Sequence, residues 1–356
     1  METVCGLLTG SAAERAEAIA RAGEILRAGG LVAFPTETVY GLGGNALSPA
    51  AAEKIYAAKG RPSDNPLIVH IAHAEEMRPL VRDIPESAWR LAEAFWPGPL
   101  TMILQKSELV PRETSGGLNT VAIRLPRDKN ARALIQAAEL PIAAPSANTS
   151  GRPSPTEARH VKEDLGGKID MILDGGAVAV GLESTIVDLT GSVPALLRPG
   201  AITLEMLEGV LGTVQLDPVL TKPLSPGMHP KAPGMKYRHY APRAEMFLVD
   251  GTREAVIRKI NACAAAAKAD GKKIGILASA ENAASYHAET IFCLGARTKP
   301  AEIAHNLFAA LREMDDRGVD LIYAEAFPES GVGLAIMNRM NKAAGHRWLH
   351  ADEEER

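Results

Sequence analysis

The sequence is short of several things, and each shortage excludes a class of function. Aromatic residues make up only 4% of the 356 positions, too few for the stacking platforms that hold single-stranded nucleic acid. Lys and Arg number 39 against 43 Asp and Glu, a net charge of −4, whereas proteins that live on nucleic acid carry a basic excess. The three cysteines, Cys5, Cys263 and Cys293, are odd in number and far apart. They fit neither a disulfide framework nor a CxxC or Cys/His zinc spacing, and read as reduced thiols. No apolar run approaches the roughly 18 residues of a membrane span, and no basic segment followed by an apolar stretch and a cleavage site opens the chain. A soluble, cytoplasmic protein is therefore expected. The common nucleotide and hydrolase signatures are missing as well: there is no GxxxxGK[ST], GxGxxG, HExxH or GxSxG. A nucleotide, if bound, has to be held in another way.

What is present reads as two α/β domains. A chain of 356 residues, 46% hydrophobic, is more than one compact core usually takes. Residues 12–28 have helical spacing, with Ile19, Ala22, Ile25 and Leu26 on one side, and Gly29-Gly30 stops them. The apolar run 31–34 closed by Pro35 predicts a buried strand, and the glycine-rich stretch after it a turn. Helices are expected over 49–58, 86–95 and 128–139, and strands over 66–72, 100–105, 120–125, 141–145, 169–173, 185–189 and 195–198. Such mixing at short spacing predicts one α/β domain over residues 1–212. Residues 218–244 hold six prolines and five Lys/Arg with no Asp or Glu, so 213–244 reads as a basic linker. Strands at 273–279 and 320–324 and helices at 252–269, 300–317 and 334–344 predict a smaller, doubly wound domain over 245–350.

Several segments place polar side chains where a ligand of an α/β sheet usually lies. Lys59-Gly60-Arg61-Pro62-Ser63 puts two cations two residues apart in a loop, within reach of one triphosphate; the loop reads equally as a solvated turn. Ala144-Pro145-Ser146-Ala147-Asn148, running on to Ser154, follows a strand with hydroxyls and an amide that suit anionic oxygens, or an ordinary turn. Thr36 follows the first buried strand, and Ser184 opens another. His70, Arg124 and Arg198 interrupt apolar strands. A buried arginine is either paired with a local carboxylate or aimed into a cleft, and a lone histidine is more often a satisfied core residue than a catalyst.

In this order FPTETVYGLG (34–43), KGRPSDNPLIVHI (59–71), FWPGPLT (95–101), VAIRLP (121–126), APSANTSG (144–151), ESTIVDL (183–189) and LLRPG (196–200) resemble the YrdC-like threonylcarbamoyl-AMP synthases. APGMKYRHYAP (232–242) and GLAIMNRMNKAA (333–344) resemble the linker and C-terminal domain of that family's long form. The resemblance implies a twisted α/β sheet with a concave cleft, joined to a smaller Rossmann-like α/β domain. It implies synthesis of threonylcarbamoyl-AMP from ATP, L-threonine and bicarbonate, with Mg2+ carried by the phosphates and no protein metal site. Lys59 and Arg61 are then the catalytic pair. ATP is expected at Lys59, Arg61, Ser63, Thr120, Ser146, Asn148, Ser154, Arg198 and Tyr240, and threonine at Thr36, His70, Arg124, Ala144 and Ser184. The product would pass to proteins that modify tRNA, with a weak tRNA contact of its own. Tyr237, Arg238, His239 and Tyr240 are expected to form a strap over the cleft. The doubled element SPGMHPKAPGM (225–235) departs from the family pattern and leaves the register of that strap open. The competing reading is a non-catalytic protein that binds tRNA or double-stranded RNA.

Overall fold

The computed structural model describes residues 2–220, 230–233 and 239–352, so Tyr237 and Arg238 of the expected strap lie outside the described residues. The chain divides into two compact units, one of Met1–Ser150 with Ser154–Tyr237, the other of Gly151–Pro153 with Arg238–Arg356.

The first unit runs β1 (Val4–Leu7), α1 (Ala12–Arg27), β2 (Val32–Phe34), β3 (Gly41–Asn45), α2 (Pro49–Lys59) and β4 (Ile68–His70). It continues α3 (Glu86–Phe95), β5 (Leu100–Gln105), β6 (Thr120–Arg124), α4 (Lys129–Ala138), β7 (Ile142–Ala143) and α5 (Ala158–Leu165). Then come β8 (Met171–Asp174), β9 (Thr185–Asp188), β10 (Ala195–Arg198), α6 (Leu204–Leu211) and β11 (Gln215–Leu216). The strands form one mixed sheet of order β1-β8-β2-β3-β7-β4-β6-β5-β9-β10-β11. Local chemistry sets the helix ends. Ser11 and Glu14 close a capping box on α1, Ser48 caps α2 with Pro49 at its first turn, and Asp128 caps α4. The apolar face of α1 (Ile19, Ala22, Leu26) packs with Leu134, Ile135 and Ala138 of α4.

The glycine-rich stretch expected as a turn is a strand instead: β3 pairs antiparallel with β2, with Gly43 opposite Val32. The reason is space. A Cβ on Gly43 would lie 2.9 Å from both Phe34 and Ile142, so the neighbouring side chains fill the room where β3 has none.

The second unit is an all-parallel sheet of order β14-β13-β15-β12-β16. Its elements are β12 (Glu245–Asp250), α7 (Arg253–Ala269), β13 (Ile274–Ser279), β14 (Thr290–Gly295), α8 (Pro300–Asp316), β15 (Leu321–Glu325), α9 (Val332–Ala343) and β16 (Trp348–His350). Helix α7 covers the sheet face that carries Ile274, Ile276 and Ala278. Gly275, pointing the other way, meets Met314 of α8, so α7 and α8 lie on opposite faces, as a doubly wound fold requires. No described helix is long and apolar enough to cross a membrane.

Candidate functional site

Strand register in the first unit gathers the polar residues that the sequence scatters. His70 of β4 pairs with Arg124 of β6, Arg124 with Thr101 of β5, Thr101 with Ile186 of β9, and Ile186 with Arg198 of β10. Residues in register share a face, and neighbouring strands lie about 4.8 Å apart. One row across five strands therefore holds a histidine, two arginines and a threonine, all of them buried.

Arg124 is paired with a carboxylate. Its Nη2 donates to Glu37 Oε1 at 2.7 Å and its Nε to the Gly98 carbonyl at 3.4 Å. Glu37 Oε2 accepts from the backbone N–H of Arg127 and of Asp128. Burial pushes the Glu37 carboxyl up, but the Arg124 charge and these hydrogen bonds outweigh it, and Glu37 is held below its ordinary value. Arg124 Nη1 has no acceptor among the described residues.

His70 takes its place through Nδ1, which lies 3.1 Å from the Ile68 carbonyl, and it meets the edge of Phe34 at 6.2 Å. Burial, helped by the Arg124 charge, pushes its pKa down to about 3, so the ring is neutral throughout the physiological range. The same Ile68 carbonyl accepts from Ala144 N, which fixes the start of the Ser146 loop beside His70.

The loop after β2 closes on itself and on the β8–β9 connection. Thr36 Oγ1 donates to the Val39 carbonyl at 2.8 Å and lies 2.8 Å from Thr38 Oγ1, while Gly181 N donates to the Thr38 carbonyl. Ser184 Oγ lies 2.7 Å from Thr101 Oγ1 and accepts from Arg198 Nη2 at 3.1 Å; Arg198 Nε donates to the Ser184 carbonyl. Ser154 donates to Glu183, binding the end of the Ser146–Ser154 segment to the same corner.

Lys59 is the last residue of α2, ahead of Gly60, which turns the chain in the left-handed region at φ 62°. Lys59 is 2% exposed, and its ammonium donates to the carbonyls of Ser146 and Asn148 and to Asn148 Oδ1. Ser146 Oγ donates to Asn148 Oδ1 at 2.6 Å. Arg61 donates to the carbonyls of Asn65 and Pro66, and Asn65 Oδ1 is buried with no hydrogen-bond partner among the described residues.

Hydrogen bonds thus tie Lys59 to Ser146 and Asn148, Ser154 to Glu183, and Ser184 to Arg198, and with Thr36, His70 and Arg124 these residues make up the set that the first unit carries. Three sit apart. Ser63 is exposed at the tip of its loop. Thr120 opens β6 opposite Gln105, about 13 Å along the strand from Arg124. Tyr240 belongs to the second unit, where its ring packs on Phe308 at 5.1 Å. Three residues not singled out are integral to the set: Glu37, Thr101 and Glu183. Each stood in a quoted segment, Glu37 between two threonines and Glu183 before Ser184, but a carboxylate in a loop gives no sequence signal of the arginine or hydroxyl it will meet. Among the described residues no group of three His, Cys, Asp or Glu could hold a metal ion. Two residues of the basic linker lie on the sheet as well: Ala232 is fully buried among Ile68, Ile103, Ala122, Ile186 and Leu197, and Lys231 pairs with Asp188 at 3.3 Å.

Comparison with known proteins covers both units. The family model described as Telomere recombination matches residues 24–200, and that described as Threonylcarbamoyl-AMP synthase, C-terminal domain, matches residues 202–345. The chain is 54% identical to the threonylcarbamoyl-AMP synthase of Pyrococcus abyssi, over 91% of this chain and 93% of that protein. It is 49% identical to the synthase of Bacillus subtilis, over 93% of this chain and 94% of that one. The crystal structure of P. abyssi Sua5 complexed with L-threonine superposes with a TM-score of 0.91 at 50% identity, covering 98% of this chain and 99% of that one.

Proposed function

We propose how the site works from one premise: the chain belongs to the threonylcarbamoyl-AMP synthase family, in its two-domain form. It is a nucleotidyltransferase that converts L-threonine, bicarbonate and ATP into threonylcarbamoyl-AMP and pyrophosphate, for threonylcarbamoyladenosine modification of tRNA next to the anticodon. The competing reading of a non-catalytic RNA-binding protein is not favoured.

The threonine amine takes up bicarbonate, with loss of water, to give an N-carboxylate. One oxygen of that group attacks the α-phosphorus of ATP, a P–O bond forms, and the bond to pyrophosphate breaks. Such a transfer needs no protein nucleophile; it needs positioning and fixed positive charge where negative charge spreads. The observation that carries this reading is the row of His70, Arg124, Thr101 and Arg198 on one sheet face.

Arg124 offers Nη1 to the threonine carboxylate while Glu37 holds the rest of the guanidinium still. Neutral His70, with Thr36, Ala144 and Ser184, lines the amino-acid side. Arg198 is aimed by Ser184 and, with Arg61, takes the phosphate oxygens. The three ammonium protons of Lys59 are matched by three protein oxygens, so Lys59 acts by holding the Ser146–Asn148 loop and by charge. Ser146, Asn148 and Ser154 border the phosphates. Ser63 and Thr120 lie far enough out for the nucleoside end of ATP.

A magnesium ion fits only as a passenger of ATP. The two carboxylates of the set, Glu37 and Glu183, are engaged by Arg124 and Ser154, so triphosphate oxygens and water would hold the ion, which neutralises phosphate charge when bound. The buried Ala232 supports the linker as a strap that excludes water from a hydrolysable acyl adenylate. The product goes to cytoplasmic tRNA-modifying proteins, with a weak tRNA contact at most.

The test is pyrophosphate release from ATP by the purified chain, with and without L-threonine and with and without bicarbonate. Release that needs both, together with a threonine-derived adenylate, is expected. Release that ignores threonine in folded protein would sink the proposal.

A further inference from the structure

The second unit contains a cavity that the synthase reaction does not use. It has a volume of about 380 Å³, within the size range of small-molecule sites. It opens outside the carboxyl ends of the parallel strands, lined by the residues that end β12, follow β13 and β14, and end β15. The chain leaves β12 toward α7 on one face of the sheet and leaves neighbouring β15 toward α9, which packs with α8 on the other face. Strands whose exits diverge in this way leave a crevice between them, and ligands of open α/β sheets bind in such crevices.

The polar groups around the cavity are unequally satisfied. Glu325 is 1% exposed, and its carboxylate accepts from Ser279 N, Ser279 Oγ, Asn282 Nδ2 and Arg297 Nη1, all at 2.8–2.9 Å. Glu281 accepts the N–H of Arg297 on both oxygens, and Asp250 meets His350 Nδ1 at 2.7 Å. The start of α7 is closed too, since Asp352 accepts from both Thr252 N and Thr252 Oγ1.

The cations have donors to spare. Arg253 uses Nε on Asn282 Oδ1 and Nη2 on the Glu281 carbonyl, leaving Nη1 without an acceptor among the described residues. Arg297 is held by Glu325 and the Ala326 carbonyl and stacks on Phe327 at 5.0 Å, leaving Nε without one. The acids are engaged, while two arginines that face the cavity are fixed in place with N–H groups left over. Arginine forks held in this way match the paired oxygens of a carboxylate or phosphate. Val249, Val256, Phe327 and Pro328 form apolar wall for the rest of a ligand.

We propose that this cavity is a second ligand site, separate from the synthase site, which binds a small organic anion through Arg253 and Arg297 and its carbon body on the Phe327 side. The unequal use of donors and acceptors favours an anion over a cation, and the apolar wall favours an organic anion over a bare one.

The test uses the full chain and hydrogen–deuterium exchange, which reports where a probe binds. AMP, inorganic phosphate and succinate are titrated separately, and exchange is followed in the peptides covering 249–256 and 325–328. At least one probe should slow exchange there, and Arg253→Glu should raise its half-saturating concentration at least tenfold, with melting and pyrophosphate release unchanged. Protection by AMP alone identifies a nucleotide-like ligand, by succinate a carboxylate. Protection by phosphate as strong as by AMP would overturn the assignment of an organic anion, since the apolar wall would then add nothing. Absence of protection with all three probes, or protection that Arg253→Glu leaves intact, overturns the proposal. A parallel readout at peptides 36–61 and 144–154 separates binding at the synthase site.

Discussion

Arg124 and Glu37 meet at 2.7 Å with both side chains more than nine-tenths buried. The pair comes from segments 87 residues apart in sequence, and it sets the direction of the guanidinium. Removing one partner of such a pair leaves a buried charge uncompensated. Glu37→Gln is therefore expected to cost about 3 kcal/mol of stability and to raise KM for threonine more than KM for ATP. The sign of its pH dependence follows from the lowered carboxyl. The pair's stabilisation is complete above the unfolded-state value near 4.3 and is lost as pH falls through the lower folded-state value. Urea midpoints for wild type and Glu37→Gln should converge at acid pH and separate above it. Parallel curves would show that the pair is not formed.

Arg61 and Lys59 are each tested by removal. Arg61→Ala is expected to lower kcat about 100-fold, the usual cost of one charge-stabilising donor, and to lower the melting temperature as well, because it takes the donors from the Asn65 and Pro66 carbonyls. Lys59→Ala should match that loss and also destabilise the protein by about 1–3 kcal/mol, because it leaves the Ser146 and Asn148 oxygens unsatisfied. Comparing kcat and melting temperature for the two variants decides this. Full activity in either would remove that residue from the site.

Much of this arrangement was legible in the sequence, for reasons that differ between residues. The helical spacing of Ile19, Ala22 and Leu26 gave α1 almost to the residue, and Pro49 gave the start of α2, because burial and capping are local. Arg124 on a short apolar strand was already either paired or aimed into a cleft, and the pairing holds: Nη2 meets Glu37. The identity of that partner was not legible, since strand register decides it across long sequence separations. β3 was misread because glycine carries no periodicity, and its reason for being a strand lies in Phe34 and Ile142. Strands β12, β14 and β16 went unnoticed, being half-exposed at several positions, and with them the cavity that their carboxyl ends help to form.

His70 should shape the pH dependence of stability rather than of rate. With a folded-state pKa near 3 and an ordinary value of 6.5, the folded ring refuses a proton that the unfolded chain accepts. The unfolded state binds more protons between those limits, so stability falls as pH drops from about 6.5 toward 3. His70→Gln is expected to flatten that part of the stability curve, while the wild-type rate shows no inflection from His70 between pH 6 and 9. A histidine titration near 6.5 seen by NMR at position 70 would contradict its neutral, buried state.

Ala232 offers a test of the strap. Its methyl group sits among Ile68, Ile103, Ala122, Ile186 and Leu197 with no exposure, so Ala232→Asp would put a charge where none is matched. The linker should then leave the sheet face. Pyrophosphate release is expected to continue while threonylcarbamoyl-AMP accumulates less, because water reaches the acyl adenylate. The ratio of adenylate to pyrophosphate measures the effect, and an unchanged ratio would reduce the linker to a tether.

Gly200 tests how tightly the Arg198 corner is built. A Cβ there would lie 2.6 Å from Thr185 N and 2.9 Å from the Glu183 carbonyl, and neither backbone atom can yield without moving the start of β9. Because Ser184 lies between them and aims Arg198, Gly200→Ala should lower activity as well as stability, the latter by about 1–3 kcal/mol as overpacking usually does. Gly209 in α6 supplies the contrast, since a Cβ there meets nothing within 4 Å. Gly209→Ala is expected to stabilise the protein by about 0.5–1 kcal/mol through lost unfolded-state freedom, with no change in rate. Melting curves and pyrophosphate release for the two variants should move in opposite directions in the first measure and diverge in the second. If Gly200→Ala keeps full activity, the aim of Arg198 does not depend on the contact between β9 and the turn that follows β10.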